Sequence, residues 1–139
     1  MDRMEPARVL VVDDELEIRR FVTRVLNMAG YVTHDVASGA DGLQLMADGM
    51  RFDLVVTDVR MPAMSGPAFV DQLCQIERST KVLYLTGYND QLFLEKRALW
   101  EDEAFLDKPC TVAGLLEAAS LLLSGSTGGG AQSPDAARE

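Results

Sequence analysis

Five residues stand where chemistry would be done: Asp13, Asp14, Asp58, Thr86 and Lys108. Each falls at the carboxyl end of a short apolar run. Asp13 and Asp14 follow Arg8-Val-Leu-Val-Val12, and Asp58 follows Asp53-Leu-Val-Val-Thr57. Thr86 follows Lys81-Val-Leu-Tyr-Leu85, and Lys108 comes just after Ala104-Phe-Leu106. Three carboxylates brought together repel, and some would protonate unless a cation sat among them. An oxygen-only set with room for water suits Mg²⁺, or Mn²⁺ in its place, which takes one or two carboxylates and a phosphate oxygen. Lys108 adds a compact cation and Thr86 a hydroxyl donor. A metal, an ammonium and a hydroxyl around a carboxylate make a site for a phosphoryl group, with Asp58 as the nucleophile of an acyl phosphate.

Taken singly, each residue has an ordinary use. A lone Asp after a strand is commonly a turn former, and Asp14 would serve to cap a helix. Lys108 before Pro109 reads equally as a solvated loop cation, and Thr86-Gly87 as a turn. The joint arrangement carries the signal, because all five groups fall at the same end of successive elements and no comparable set occurs at the other end.

The elements that must position them alternate along the chain. Arg8–Val12 is continuously apolar and β-branched, as in a strand buried on both faces. From Glu15 to Ala29, Ile18, Phe21, Val22, Val25, Met28 and Ala29 recur at helical spacing, and Gly30 stands where a left-handed cap belongs. Tyr31–Val36 alternates, with Val32, His34 and Val36 on one face, which suits a half-exposed edge strand. Ser38-Gly-Ala-Asp41 reads as a capping box for a short helix carrying Leu43, Met46 and Ala47. After the strand that precedes Asp58, Ser65-Gly-Pro67 opens a helix with Phe69, Leu73 and Ile76 inward. Met61 and Met64 are expected to plug the gap beside the sheet, with Cys74 as packing and His34 as an edge-strand residue without chemistry. A fourth helix is expected over 89–100, with a poor stripe of Leu92 and Leu99 that leaves Phe93 and Trp100 off it. Thr111 caps a last helix with Val112, Leu115, Leu116, Ala119, Leu122 and Leu123 on its apolar face.

This order predicts an α/β fold, a doubly wound five-stranded parallel sheet with helices on both faces. The flavodoxin-like order 2-1-3-4-5 fits best, because it puts the alternating second strand at an edge. Residues 7–123 are expected to form the domain, with 1–6 as an N-terminal extension. Residues 124–139, rich in Gly and Ser, read as a flexible tail.

Composition narrows the partners. Thirteen Lys and Arg stand against 22 Asp and Glu, a net charge of −9. Phosphate backbones are gripped by clustered cations, so a nucleic-acid-binding body is excluded, and an anionic membrane surface is disfavoured for the same reason. No apolar run approaches the ~20 residues of a membrane span, and no secretory signal opens the sequence. Two cysteines, Cys74 and Cys110, without CxxC spacing, suit a reducing cytoplasm, and a single His rules out a His-rich zinc site.

Val11-Val-Asp-Asp-Glu15, Asp58-Val-Arg-Met-Pro-Ala-Met-Ser-Gly66, Leu85-Thr-Gly87 and Phe105-Leu-Asp-Lys-Pro109 together resemble the signature set of the response-regulator receiver domain, over about residues 7 to 123. The resemblance implies that Asp58 accepts phosphate from a histidine kinase or a histidine phosphotransfer protein, with Asp13, Asp14 and the backbone carbonyl of Arg60 holding Mg²⁺ beside it. It also implies that Lys108 contacts the phosphoryl group, that Thr86 swings toward it, and that Phe105 is the coupled aromatic switch. The chain would then be a signalling switch rather than an enzyme, a monomer or a phosphorylation-dependent dimer. It would act on a downstream protein through the face around the fourth and fifth helices. Neither nucleic acid nor membrane is expected as a partner.

The chain departs from the family at Cys110, where Phe is common after Lys-Pro; the smaller residue is read as packing in a looser loop. Arg60 and Tyr88, two residues after Asp58 and Thr86, are expected to screen the site from water. Other chemistries fit less well. A haloacid-dehalogenase-type phosphatase needs a second Asp two residues after its nucleophile, where this sequence has Arg60. A flavin carrier needs a phosphate loop after the first strand, where Asp13-Asp14-Glu15 would repel the phosphate. A receiver-like interaction module that takes no phosphate is the remaining alternative.

Overall fold

The computed structural model describes residues 6–87, 103–108 and 110–125. Along the chain come β1 (Arg8–Val12), α1 (Leu16–Met28), β2 (Val32–Val36), α2 (Gly39–Ala47) and β3 (Leu54–Asp58). They are followed by α3 (Gly66–Ile76), β4 (Lys81–Thr86), β5 (Glu103–Asp107) and α4 (Val112–Gly125). The strands form one parallel sheet in the order β2-β1-β3-β4-β5. Fold class and strand order are those read from the sequence. The helix expected over 89–100, Tyr88 and the chain beyond 125 lie outside the described residues.

Strand alternation divides the core into two layers. Val9, Val11, Leu54, Val56, Leu83 and Leu85 pack with Val22, Val25 and Leu26 of α1 and Leu115 and Ala119 of α4. Leu10, Val12, Val55, Val82 and Tyr84 pack on the other face with Met46 of α2 and Phe69, Val70 and Leu73 of α3. The three central strands are therefore apolar on both sides, as sheets covered by helices on both faces require. β2 is half-exposed at its edge. Met61, Met64 and, from α3 itself, Cys74 pack partly buried against this second layer, and His34 meets Phe52 edge-on at 5.8 Å.

Local signals set the helix ends. Gly30, at φ 99°, ends α1; its N–H donates to Asn27 O (3.0 Å) and that of Tyr31 to Leu26 O (3.1 Å). This pair of bonds is the Schellman arrangement, in which a left-handed residue costs a glycine nothing. Ser38 Oγ accepts from Asp41 N, Ser65 Oγ from Ala68 N, and Thr111 Oγ1 from Gly114 N, each satisfying a free first-turn donor.

The helix stripes are narrower than the sequence suggests. Phe21 and Met28, expected inward on α1, are 37% and 80% exposed, while Leu26 is fully buried. The buried line runs through Val22, Val25 and Leu26, because one helix lying on a sheet covers only part of its circumference. Ile76 on α3 and Val112 on α4 are likewise exposed, at the ends of their helices. α4 continues through Ser124 to Gly125.

Candidate functional site

The carboxyl ends of β1, β3 and β4 lie side by side, since Val12 pairs with Thr57 and Asp58 with Leu85. Asp13 follows β1 directly. Asp58 and Thr86 are the last residues of β3 and β4, one position earlier relative to their strands than the sequence suggests. β5 delivers Lys108, whose backbone N–H donates to Thr86 O at 2.8 Å.

These placements gather the carboxylates. One ligand oxygen each from Asp13, Asp14 and Asp58 lies within 4.8 Å of the others. Asp13 and Asp58 are buried and Asp14 is exposed, so the cluster opens to solvent on one side. Lys108 Nζ stands 3.1 Å from Asp58 Oδ1, 3.9 Å from Asp13 Oδ2 and 4.0 Å from Glu15 Oε1. Thr86 is fully buried beside them at the end of β4.

Burial sets the electrostatics. Asp13 is pushed up to about 6, chiefly by loss of solvent and further by the Asp58 charge, against a hydrogen bond from the Glu15 N–H. Burial likewise raises Asp58, while Lys108 and the Arg60 backbone N–H draw it back down. Burial alone would depress the Lys108 ammonium, but the hydrogen bond and charge of Asp58, with Asp13 and Glu15, hold it above its ordinary value. One ammonium shared among these carboxylates leaves the cluster short of positive charge.

Asp13 shows the deficit at atomic level. Its Oδ1 accepts from Glu15 N at 2.8 Å, whereas the buried Oδ2 accepts no hydrogen bond among the described residues and has Lys108 Nζ only at 3.9 Å. A buried carboxylate oxygen without a donor is costly and calls for a cation. The donor set is all oxygen, two of its carboxylates are buried, and one side is open, so the residues fit a hard divalent ion such as Mg²⁺.

The loop after Asp58 is held closely. Val59 N–H donates to Leu85 O (3.2 Å) and Gly66 N–H to Val59 O (2.8 Å), folding the loop back over the end of β3. A Cβ on Gly66 would overlap Asp58 O, so no other residue fits there without moving the acceptor strand. Ala63, at φ 68°, takes a left-handed conformation in the same loop, and Met64 N–H donates back to Pro62 O.

Asp13, Asp14, Asp58 and Lys108 thus meet by side chain, and Thr86 adjoins them through its strand. Arg60 is exposed, and its backbone N–H bonds the Asp58 carboxylate. Phe105 lies in β5 opposite Tyr84, and its side chain is outside the described set. Cys110 is half-buried against the α1/α4 layer. Sequence reasoning missed two contributors. One is Gly66, whose tight approach to Asp58 no spacing reveals. The other is Arg19, whose side chain holds the Asp13 carbonyl (2.7 Å) and the Asp35 carboxylate (2.8 Å); with Arg20 and Arg24 in the same helix, no sequence signal singles it out.

Residues 9–120 match the family model of the response regulator receiver domain. The sensor kinase CckA of Brucella abortus is 34% identical over 110 residues, covering 78% of this chain and 12% of CckA. The chemotaxis protein CheY of Treponema pallidum is 29% identical over 116 residues, covering 81% of this chain and 79% of CheY. The chain therefore spans a small part of the first relative and most of the second. Among solved structures, CheY4 of Vibrio cholerae superposes with a TM-score of 0.73 at 31% identity, covering 85% of this chain and 99% of that one. A receiver protein from Sinorhizobium medicae gives 0.78 at 28% identity, covering 88% and 98%. The match over most of its length places this chain in the response regulator receiver family, whose receiver domains generally serve phosphorylation-dependent signalling in bacterial two-component systems.

Proposed function

We propose that Asp58 takes a phosphoryl group from a phosphohistidine on a histidine kinase or histidine phosphotransfer protein. The observation that carries this reading is the buried Asp58 carboxylate held 3.1 Å from Lys108 beside the orphaned Asp13 oxygen. An Asp58 oxygen attacks phosphorus as the P–N bond to imidazole breaks; the departing ring nitrogen takes up a proton, and an acyl phosphate remains. A carboxylate needs no general base for this, so positioning and charge neutralisation supply most of the rate. Asp13, Asp14, Asp58 and the Arg60 carbonyl would hold Mg²⁺ or Mn²⁺, which neutralises charge on the phosphoryl oxygens. Lys108 opposes the cost of burying the Asp58 charge and then pairs with the transferred group.

Thr86 and Phe105 read the change. The Thr86 hydroxyl donates to a phosphoryl oxygen once one is present, and Phe105 turns into the space it leaves, which shifts the population toward the active conformer. Arg60 and Tyr88 shield the acyl phosphate from water. Residues 7–123, with the last turn of α4 running on to Gly125, constitute the switch, and the output passes to a protein partner through the expected helix over 89–100 and α4. The reaction belongs in the cytoplasm, where phosphohistidine donors occur. Among the described residues no helix is long and apolar enough to cross a membrane.

The test is intact-mass analysis after acetyl phosphate, with and without Mg²⁺, beside Asp58→Asn. One added phosphoryl group that needs both Mg²⁺ and Asp58 supports the reading. An unmodified parent protein favours the interaction module that takes no phosphate.

A further inference from the structure

Asp13 is gripped at every polar group except one. Its N–H donates to Val36 O of β2 (3.2 Å) and its Oδ1 accepts from Glu15 N (2.8 Å). Its carbonyl accepts from Arg19 Nη1 at 2.7 Å, and Arg19 Nε meets Asp35 Oδ2 at 2.8 Å. Among the described residues only Oδ2 takes no hydrogen bond; it is buried and faces the cluster, with Lys108 Nζ 3.9 Å away. Asp35 and Val36 are consecutive in β2, so the end of that strand holds Asp13 from both sides, once directly and once through Arg19.

We propose that Arg19 is a positioning residue for the cation site, fixing the Asp13–Asp14 peptide so that both carboxylates meet Asp58. This rests on the Mg²⁺ reading above. The guanidinium can do it because it is planar and donates in two fixed directions, one to the main-chain carbonyl just after β1 and one to a carboxylate on β2. It is only 15% exposed, so the fork is held by packing as well as by charge. Asp35 also offsets its charge, so Arg19 organises the carboxylates with little repulsion of an incoming divalent ion. Groups that orient a metal ligand without touching the metal typically change affinity by about 10–100-fold.

Calorimetric titration with Mg²⁺ alone tests this, on the parent chain, Arg19→Lys, Arg19→Gln and Asp13→Asn. Circular dichroism and thermal melting of each variant without metal report its fold. Charge and position make opposite demands. If Arg19 acted only through its charge, Arg19→Lys would bind as the parent does, and Arg19→Gln would bind more tightly for want of a nearby cation. A positioning role requires both to bind about tenfold more weakly. Arg19→Lys, which keeps the charge and burial of the stem, decides between the two if Arg19→Gln does not fold. Parent-like or tighter binding by the folded variants overturns the inference while leaving the cation site standing. A parent chain that binds no Mg²⁺, or binds it no better than Asp13→Asn, overturns the site and the role of Arg19 together.

Discussion

Lys108 Nζ lies 3.1 Å from Asp58 Oδ1, a charge pair assembled across the end of β4 by the ends of β3 and β5, from distant parts of the chain. It is the shortest link between the ammonium and the carboxylate cluster, and it opposes the cost of burying Asp58. Lys108→Ala is expected to slow phosphoryl uptake from acetyl phosphate on the order of a hundredfold, the scale of losing one preorganised charge stabiliser. Quenched-flow measurement of acyl phosphate checks it. A rate within a few-fold of the parent would remove Lys108 from the chemistry.

Gly66→Ala tests how tightly the loop is closed over the acceptor. Its Cβ would run into the Asp58 carbonyl oxygen, and backbone on both sides must move. The expected loss is about 2–3 kcal/mol, within the range for overpacking, read by urea unfolding. An unchanged midpoint would mean that the loop relaxes freely.

Ala63→Gly acts in the opposite direction in the same loop. Ala63 holds φ at 68°, where a Cβ is strained and glycine is not. The substitution is expected to stabilise by about 0.5–1 kcal/mol by the same urea assay. A loss of stability would show that the Cβ contributes packing worth more than the strain.

Cys110 gives a pH signature. Burial raises its thiol above the ordinary value, against smaller pulls from its own backbone N–H and from Lys108. A raised folded value means that this contribution to stability is present at neutral pH and lost as pH rises through it. Thiolate is correspondingly scarce near neutrality. In Cys74→Ser protein, iodoacetamide should modify Cys110 more slowly than it does in urea-unfolded chain at pH 7, with the rate climbing at alkaline pH. Equal folded and unfolded rates at pH 7 would contradict the burial.

The central strands were legible because burial on both faces leaves an unbroken apolar run, as in Val9–Val12 and Leu54–Val56. The capping residues Ser38, Ser65 and Thr111 were legible because their bonds span only three positions. The inward face of α1 was less so. Phe21 and Met28 share its period with Val22 and Val25, and only the docking angle on the sheet decides which are covered. The converging carboxylates followed from topology, since parallel strands put all their carboxyl ends on one side. The Arg19 bridge and the approach of Gly66 to Asp58 depend on side-chain reach and loop path, for which sequence has no period.

The central claim is that Asp58 itself carries the phosphoryl group. The direct measurement is borohydride reduction of the protein after acetyl phosphate and Mg²⁺, followed by peptide sequencing by mass spectrometry. Reduction turns an aspartyl phosphate into homoserine. The expected result is homoserine at position 58 alone, lost on Asp58→Asn. Homoserine at Asp13 or Asp14, or at no position, would contradict it.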